Sequence, residues 1–304
     1  MNIFQTIPFV AFILSTLPPI EKHRREIDRA RAEGRDADEQ EWIRLAENFW
    51  GPRLFTHWGV RLERTDDTEL PPGGVLFVSN HDGYGDIPGF MHAIRDKQFG
   101  FVAKEELAKL PIFAKWIVRI RSIMLLRDDP RVAVKVFAEG EDMLKRGFSL
   151  VIFPEGTRAK GQGLRPFAKG SLRMALRTGT PIVPVATQGS WECFEGSGYP
   201  CPGLVRFHVF PHIETAGFAK SEEGALSERV EALIRTKLEE WGQEPGREKG
   251  QEPELGQEQG QELGQEQGQE PGPGREQGQE PGPGREQEQG QEPERGQEDS
   301  ELGG

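Results

Sequence analysis

Short apolar runs alternate with helical patterns through the middle of the chain. Four of these runs are uninterrupted and lead into polar or glycine-rich turns: 75–78, 123–126, 150–153 and 182–185. The segment 205–209 instead alternates between apolar and polar residues, which is typical of a half-exposed strand. Helical patterns lie between the runs, at 132–145 and 171–177. Strands separated by helices predict an α/β fold with a mixed, largely parallel central sheet flanked by helices.

The first sixty residues predict an amphipathic helical appendage to this sheet. The segment from Ile3 to Leu17 is apolar but interrupted, and it is shorter than the roughly 20 apolar residues that a spanning helix needs. It also lacks a basic leading region and a small-residue cleavage site, so we expect no signal peptide. Two interpretations stay open, a helix lying in one membrane leaflet or a helix packed on the main domain.

A second amphipathic helix is predicted after the charged stretch 21–40. Its apolar residues recur at helical spacing and share one face: Trp42, Leu45, Ala46, Phe49 and Trp50. Gly51-Pro52 is expected to end or kink the helix. Tryptophan rings with one N–H donor favour contact with a membrane interface, and a core-facing stripe is the alternative.

The chain from Gly242 onward is nearly all Gly, Gln, Glu, Pro and Arg, and the seven residues 271–277 recur at 281–287. Without aromatic or β-branched residues, this segment cannot bury enough apolar surface to offset the entropy of ordering it. We therefore predict a disordered tail at 242–304 that is dispensable for catalysis. The predicted organisation is a helical segment at 1–60, a catalytic domain at 61–241 and this tail.

Charge is unevenly distributed along the chain. The tail contains 17 acids and 5 bases, a net charge of −12 that equals the net charge of the whole protein. Residues 1–241 are therefore close to neutral, while 101–180 holds 16 bases against 8 acids. Such a basic segment suits phosphate groups, coenzyme A or an anionic membrane surface, although ordinary solvated Lys and Arg explain it equally well. The two cysteines, Cys193 and Cys201, imply neither a disulfide framework nor a metal site.

A His-x₄-Asp motif follows the first apolar run, within Asn80-His81-Asp82-Gly83-Tyr84-Gly85-Asp86. A neutral imidazole accepts protons well near pH 7, and a carboxylate on its other ring nitrogen fixes the tautomer. We predict that His81 is a general base and that Asp86 orients it. Asp82 is a rival carboxylate, but the side chain next to a histidine in sequence rarely faces the same way.

This motif is weak when it stands alone, because a histidine that caps a turn fits the same spacing. A second occurrence, His23 to Asp28, lies in a charged stretch without a preceding strand or a glycine-rich turn. We assign it no catalytic role. For His81, a second motif about seventy residues later supports the catalytic interpretation.

That second motif, Phe153-Pro154-Glu155-Gly156-Thr157-Arg158, follows the third apolar run. Gly156 allows backbone N–H groups to point at an anion. Thr157 can donate a hydroxyl hydrogen, and Arg158 can bind phosphate through two parallel N–H bonds. A structural ion pair between Glu155 and Arg158 is the alternative. Together the two motifs indicate a base-assisted group transfer onto a substrate that carries an anionic group.

The two motifs, with Ile123–Arg127 between them and Pro181–Val185 after them, resemble the four sequence blocks of the glycerolipid acyltransferase family, typified by 1-acylglycerol-3-phosphate acyltransferase. The resemblance covers roughly residues 70 to 190. It implies an enzyme that moves a fatty acyl group from an acyl thioester, carried by coenzyme A or acyl carrier protein, to the free hydroxyl of lysophosphatidate. It also implies that Arg127 and the block of Glu155, Gly156, Thr157 and Arg158 bind the glycerol-phosphate part of the acceptor, with Glu155 holding a glycerol hydroxyl or an arginine.

We expect no cofactor, no metal and no nucleic-acid partner, and we expect the enzyme at the cytoplasmic face of a membrane as a peripheral or monotopic protein. The chain departs from the family at Tyr84, where relatives often carry a polar or small residue, and at Arg121-Ser122, where glycine is common. These departures bear on the acceptor more than on the reaction. Three alternatives stay open: acylation of another lysophospholipid or glycerol 3-phosphate, a transacylase, or a non-catalytic membrane lipid-binding protein. An α/β-hydrolase is disfavoured because no Gly-x-Ser-x-Gly elbow occurs.

Overall fold

The computed structural model describes residues 3–66, 69–104, 111–125 and 130–243, all within one compact unit. A seven-stranded sheet forms its centre, with the spatial order β1-β7-β6-β2-β5-β3-β4. Within this sheet β6 and β7 pair antiparallel, and the other neighbouring strands pair parallel. The predicted α/β fold with a mixed, largely parallel sheet is confirmed. The strands are β1 (Val60–Asp66), β2 (Leu76–Ser79), β3 (Gly100–Lys104), β4 (Ile123–Leu125), β5 (Leu150–Ile152), β6 (Ile182–Gln188) and β7 (Gly203–Val209).

Helices precede the sheet and flank it. A π-helical turn, Glu192–Gly196, follows β6, and a short 3₁₀ helix spans Lys220–Glu222. The helices are α1 (Ile3–Ala32), α2 (Asp36–His57), α3 (Asp86–Ala93), α4 (Pro111–Arg119), α5 (Pro130–Lys145), α6 (Arg173–Thr178) and α7 (Glu223–Gln243). The predicted tail lies outside the described residues apart from its first two positions, which belong to α7.

The centre of the sheet is also the centre of the core. Every residue of β2 is buried, as expected for a continuous apolar run covered on both faces. Phe77 on this strand packs edge-to-face against Phe90 of α3 and against Phe99. The predicted alternation at 205–209 is confirmed, because Val205, Phe207 and Val209 are buried and the residues between them are not.

The N-terminal segment forms two helices. The apolar stretch and the first part of the charged stretch lie in α1, which is continuous from Ile3 to Ala32, and the rest of the charged stretch leads into α2. Of the two outcomes expected at Gly51-Pro52, an end of the helix is wrong, because α2 continues to His57. A Cβ atom at Gly51 would lie 2.5 Å from backbone atoms of α3. The close packing of α2 on α3 therefore needs a glycine in a helix at this position.

The aromatic stripe of α2 lies partly against α1. His23 contacts Phe49 at a ring-centroid distance of 5.8 Å, and Phe12 contacts Trp50 at 6.4 Å. Leu14 and Leu17 of α1 are exposed, at 58% and 49% of their surface. In the described part of the chain, no helix is long and apolar enough to cross a membrane.

Ion pairs join the two N-terminal helices to the end of α4 and to the segment after it. The carboxylate of Glu39, which is fully buried, accepts hydrogen bonds from Arg121 at 2.7 and 2.8 Å and pairs with Arg31 at 2.7 Å. Arg119 binds Asp28 in the same region, at 2.8 Å. Since the buried charge of Glu39 is compensated by two arginines, the helices and the sheet domain are held in one arrangement.

Candidate active site

The predicted site residues gather at one edge of the sheet. Strands β5, β2 and β6 are neighbours and parallel, so their carboxyl ends meet at that edge. His81 follows β2, Glu155 follows β5, and Thr187 lies at the end of β6. Arg127, which follows β4, lies outside the described residues, so its predicted role in substrate binding stays a prediction.

His81 and Asp86 are in direct contact. Nδ1 of His81 lies 2.7 Å from Oδ2 of Asp86, the first residue of α3, and the aspartate is fully buried. Because an ionised carboxylate can only accept, this contact places the hydrogen on Nδ1 and leaves the lone pair on Nε2. The geometry is the one that a general base and its orienting carboxylate require.

Asp86 is itself held by three further donors. Its Oδ2 accepts the backbone N–H of Gly83 at 3.1 Å. Its Oδ1 accepts the hydroxyls of Ser190 at 2.6 Å and Thr187 at 3.3 Å. These donors satisfy the buried carboxylate and fix its orientation toward His81.

Two contacts fix the histidine as well. Its ring stacks on Phe153 with a centroid distance of 4.1 Å and an angle of 16° between the planes. Its backbone N–H donates to Oε1 of Glu155 at 2.6 Å. The imidazole keeps 17% of its surface exposed, so a substrate can reach it.

Asp82, the rival carboxylate, points away from His81. It accepts backbone N–H groups from Gly161 at 3.1 Å, Gly189 at 3.1 Å and Trp191 at 3.2 Å. Burial raises the pKa of Asp82 to about 6, with a further contribution from the nearby Asp86 charge. A cavity of about 300 Å³ lies on this side of the loop, next to α7. Asp82 therefore organises the surrounding backbone and does not orient the imidazole.

Glu155 holds backbone groups of two loops. Besides His81, it accepts the N–H of Arg165 through Oε2 at 2.9 Å. Burial raises the pKa of Glu155 to about 7, and the two backbone hydrogen bonds offset part of that rise. The ion pair considered between Glu155 and Arg158 is not formed, because Arg158 pairs with Glu195 instead. Neither of the two partners expected for Glu155, a glycerol hydroxyl or an arginine, is needed to explain its position.

The next residues of the second motif form a turn. Gly156 has a φ of 64°, in the left-handed region, and its N–H donates to the carbonyl of Phe153 at 3.0 Å. The N–H of Gly156 itself is therefore used inside the turn, and the expectation that this glycine lets backbone N–H groups point at an anion stays a prediction. Thr157 follows in the same turn and is partly exposed. Their roles in substrate binding stay predictions.

Arg158 lies in a small cluster with Tyr84 and Glu195. Its guanidinium carbon lies 3.7 Å from the centre of the Tyr84 ring, and its Nη1 donates to Oε2 of Glu195. The other oxygen of Glu195 accepts the backbone N–H of Tyr84. Sequence reasoning missed Glu195, because the π-helical turn that holds it has no local pattern pointing to the site. The polar residues at the end of β6 were the available signal for this region.

Possible metal ligands and thiol groups occur among the described residues. No group of three or more His, Cys, Asp or Glu side chains there is arranged to hold a metal ion. Cys193 and Cys201 are free thiols, and burial raises the pKa of Cys193 to about 12. That the reaction needs no metal or cofactor stays a prediction.

Comparison with known proteins places this geometry in a family. Residues 61–188 match the family model described as Acyltransferase. A 1-acyl-sn-glycerol-3-phosphate acyltransferase from Borreliella burgdorferi is 30% identical over 183 residues, which cover 60% of this chain and 73% of that protein. One from Pseudomonas aeruginosa is 26% identical over 205 residues, covering 66% and 76%. The crystal structure of the 1-acyl-sn-glycerophosphate acyltransferase PlsC from Thermotoga maritima superposes with a TM-score of 0.66 at 25% identity, covering 80% of this chain and 97% of that one.

The fold and these similarities thus define an acyltransferase. The chain belongs to the acyltransferase family that contains the 1-acylglycerol-3-phosphate acyltransferases, and it is an enzyme of that class. The resemblance found in the four sequence blocks is confirmed.

Proposed function

We propose that this enzyme transfers a fatty acyl group from an acyl thioester to the free hydroxyl of lysophosphatidate, giving phosphatidate. The contact between His81 and the buried Asp86 carries the proposal. It provides a base with a fixed tautomer beside the second motif, which contains Arg158. The printed names of the relatives, 1-acyl-sn-glycerol-3-phosphate acyltransferases, support the same acceptor.

The reaction needs one proton acceptor and no covalent enzyme intermediate. Nε2 of His81 takes the proton of the acceptor hydroxyl while that oxygen attacks the thioester carbonyl carbon. Asp86 stabilises the imidazolium that forms. The tetrahedral intermediate then collapses, the carbon–sulfur bond breaks, and the proton on His81 goes to the leaving thiolate. An ester and a free thiol are the products.

In this proposal the acceptor is held by its phosphate. Arg127 and Arg158 bind the phosphate oxygens, and Gly156 and Thr157 contact the glycerol-phosphate part. Arginine suits this task because its planar fork donates two parallel N–H bonds to phosphate. The acyl donor is acyl-coenzyme A or acyl-acyl carrier protein, which acts as a co-substrate, and no cofactor takes part.

We place the enzyme at the cytoplasmic face of a membrane, as a peripheral or monotopic protein. Both lipids of the reaction are found in membranes. The exposed Leu14 and Leu17 on α1 support contact with lipid, and the excess of basic residues in 101–180 supports contact with anionic headgroups.

The test is thiol release from palmitoyl- and oleoyl-coenzyme A by the purified chain, with lipid products identified by mass spectrometry. Lysophosphatidate, glycerol 3-phosphate and several lysophospholipids are offered as acceptors in detergent. The proposal is supported if phosphatidate forms from lysophosphatidate and none of the other acceptors gives a product. Product from another acceptor overturns the choice of acceptor, and product that forms without thiol release indicates a transacylase. No release with any acceptor, using coenzyme A and acyl carrier protein donors, contradicts the thioester reaction.

A further inference from the structure

The cluster of Tyr84, Arg158 and Glu195 joins three separate parts of the chain. Tyr84 lies in the His-x₄-Asp loop, Arg158 closes the second motif, and Glu195 lies in the π-helical turn after β6. Tyr84 is also the position at which the loop departs from the pattern common in the family. A large aromatic residue with 51% of its surface exposed is not explained by packing in the core.

The contacts leave one edge of the arginine available. Glu195 accepts from Nη1, and the guanidinium carbon lies over the Tyr84 ring. Among the residues that the structure describes, Nε and Nη2 of Arg158 have no hydrogen-bond partner. These two N–H groups lie side by side and form the edge that binds phosphate or carboxylate through two parallel bonds.

The π-helical turn packs closely against the loop, which limits the room in which Glu195 can move. A Cβ atom at Gly83 would lie 2.7 Å from Cα of Trp191, and one at Gly85 would lie 2.3 Å from the Phe194 ring. Such approaches are possible only because both positions are glycine. Glu195 also accepts the Tyr84 backbone N–H, which fixes its carboxylate at both oxygens.

We propose that Glu195 and Tyr84 are positioning residues that hold the Arg158 guanidinium ready to bind the phosphate monoester of the acceptor. This inference rests on the proposed function and deepens it, because it names residues that determine the preference for a phosphate headgroup. A free arginine side chain loses much rotamer freedom when it binds a ligand, whereas one already held between a ring and a carboxylate loses less. The Nε and Nη2 edge of Arg158, held in this way, therefore favours acceptors with a phosphate over acceptors without one.

The test compares variants that differ in one contact each. Glu195→Gln removes the charge that holds Nη1, and Glu192→Gln removes the same charge from the same helical turn as its control. Tyr84→Ala removes the ring, whereas Tyr84→Phe keeps it. Lysophosphatidate binding is measured calorimetrically in detergent without a donor, alongside monoacylglycerol of the same chain length. Steady-state KM and kcat are measured for the acceptor and for the donor.

We expect Glu195→Gln and Tyr84→Ala to weaken lysophosphatidate binding about tenfold and to raise its KM to match, because the released arginine then loses more rotamer freedom when it binds the phosphate. Monoacylglycerol binding, the donor KM and kcat at saturating acceptor stay near wild-type values. Tyr84→Phe and Glu192→Gln bind lysophosphatidate as the wild type does. Tyr84 is exposed, so its variants keep the inference testable if Glu195→Gln folds poorly.

Unchanged lysophosphatidate binding in both Glu195→Gln and Tyr84→Ala overturns the inference. Tighter binding in Glu195→Gln also overturns it, since Glu195 would then compete with the phosphate. Equal losses for lysophosphatidate and monoacylglycerol indicate general disruption of the site and likewise contradict it. The proposed function is tested separately by wild-type turnover, because the binding measurement needs no acyl transfer.

Discussion

Oε1 of Glu155 accepts the backbone N–H of His81 at 2.6 Å across 74 positions of the sequence. The carboxylate of the second motif therefore supports the loop that carries the predicted base. The other oxygen holds the N–H of Arg165 at 2.9 Å, so one side chain joins the ends of two neighbouring parallel strands to a third segment. Glu155 acts here on the backbone and forms no ion pair with Arg158, which pairs with Glu195.

The burial of the Glu155 carboxyl predicts how the stability of the protein depends on pH. The pKa of Glu155 is raised from 4.5 to about 7, so the folded protein holds this proton more tightly than the unfolded chain does. Between those pH values unfolding releases a proton, and the contribution of Glu155 to the free energy of unfolding falls as pH rises. We expect the stability advantage of the wild type over Glu155→Gln to shrink by about 1–3 kcal/mol from pH 4.5 to pH 7.

Urea denaturation at several pH values measures this difference. The control is Glu240→Gln, on the exposed side of α7, which we expect to follow the wild-type pH dependence closely. A stability advantage that grows with pH would show that the fold favours the ionised carboxylate at position 155, contrary to the prediction.

The two His-x₄-Asp pairs of the chain provide a matched test of the base. His81→Ala is expected to lower kcat by about 10²–10⁴, the usual contribution of a general base. Asp86→Asn is expected to lower it by at least about 10², because the amide no longer holds the imidazolium. His23→Ala is the control, since His23 packs between Trp42 and Phe49 at the N-terminal helices. Retention of more than a few per cent of activity by folded His81→Ala would falsify the role of His81.

The sequence predicts the strands whose apolar residues form a continuous or an alternating pattern, and it misses β1 and β3. The runs at 75–78, 150–153 and 182–185 become buried central strands, because burial on both faces leaves a continuous apolar signal. Strand β1 was not predicted: it is half-exposed at the sheet edge, and charged residues interrupt it. Helix α3 was missed because it is eight residues long and contains Pro88.

For the site, the sequence identifies residues inside local motifs and misses partners that arrive from far along the chain. The sequence identifies His81 and Asp86 because they are only five positions apart and lie in one motif. Ser190 and Glu195 bind residues 104 and 111 positions away, and only the pairing of β2 with β6 brings them close. Local pattern has no information about that pairing.

Gly83 is needed for the close approach of the segment that carries Glu195. In Gly83→Ala the new Cβ would lie 2.7 and 2.8 Å from backbone atoms of Trp191, which cannot move as a flexible side chain can. We expect a loss of about 1–3 kcal/mol in stability and reduced turnover.

Thermal denaturation and the turnover assay measure both effects. Gly224→Ala in α7 is the matched control: nothing lies within 4 Å of its Cβ position, and alanine should stabilise that helix by up to about 1 kcal/mol. Equal behaviour of the two variants would mean that the turn at 191–196 adjusts freely.

The ion pairs of Glu39 are expected to contribute strongly to the stability of the link between the N-terminal helices and the sheet domain. Glu39→Ala leaves Arg31 and Arg121 without their buried partner, and breaking such a pair costs about 3–5 kcal/mol. Glu41→Ala, on the exposed side of the same helix, should cost about 0.5 kcal/mol or less. Denaturant titration compares the two variants, and a loss below about 1 kcal/mol for Glu39→Ala would contradict this account.

The position of β2 in the middle of the sheet has a consequence for synthesis on the ribosome. This strand is made early, yet both of its neighbours, β5 and β6, are made later, and its buried residues have no strand on either side until then. Contacts this distant in sequence form slowly, and an unpaired apolar strand is prone to aggregate. A nascent chain that ends before residue 182 already contains His81 but cannot complete the support of Asp86. We therefore expect the enzyme to become active late in translation and to depend on protection of its central strand until β6 emerges.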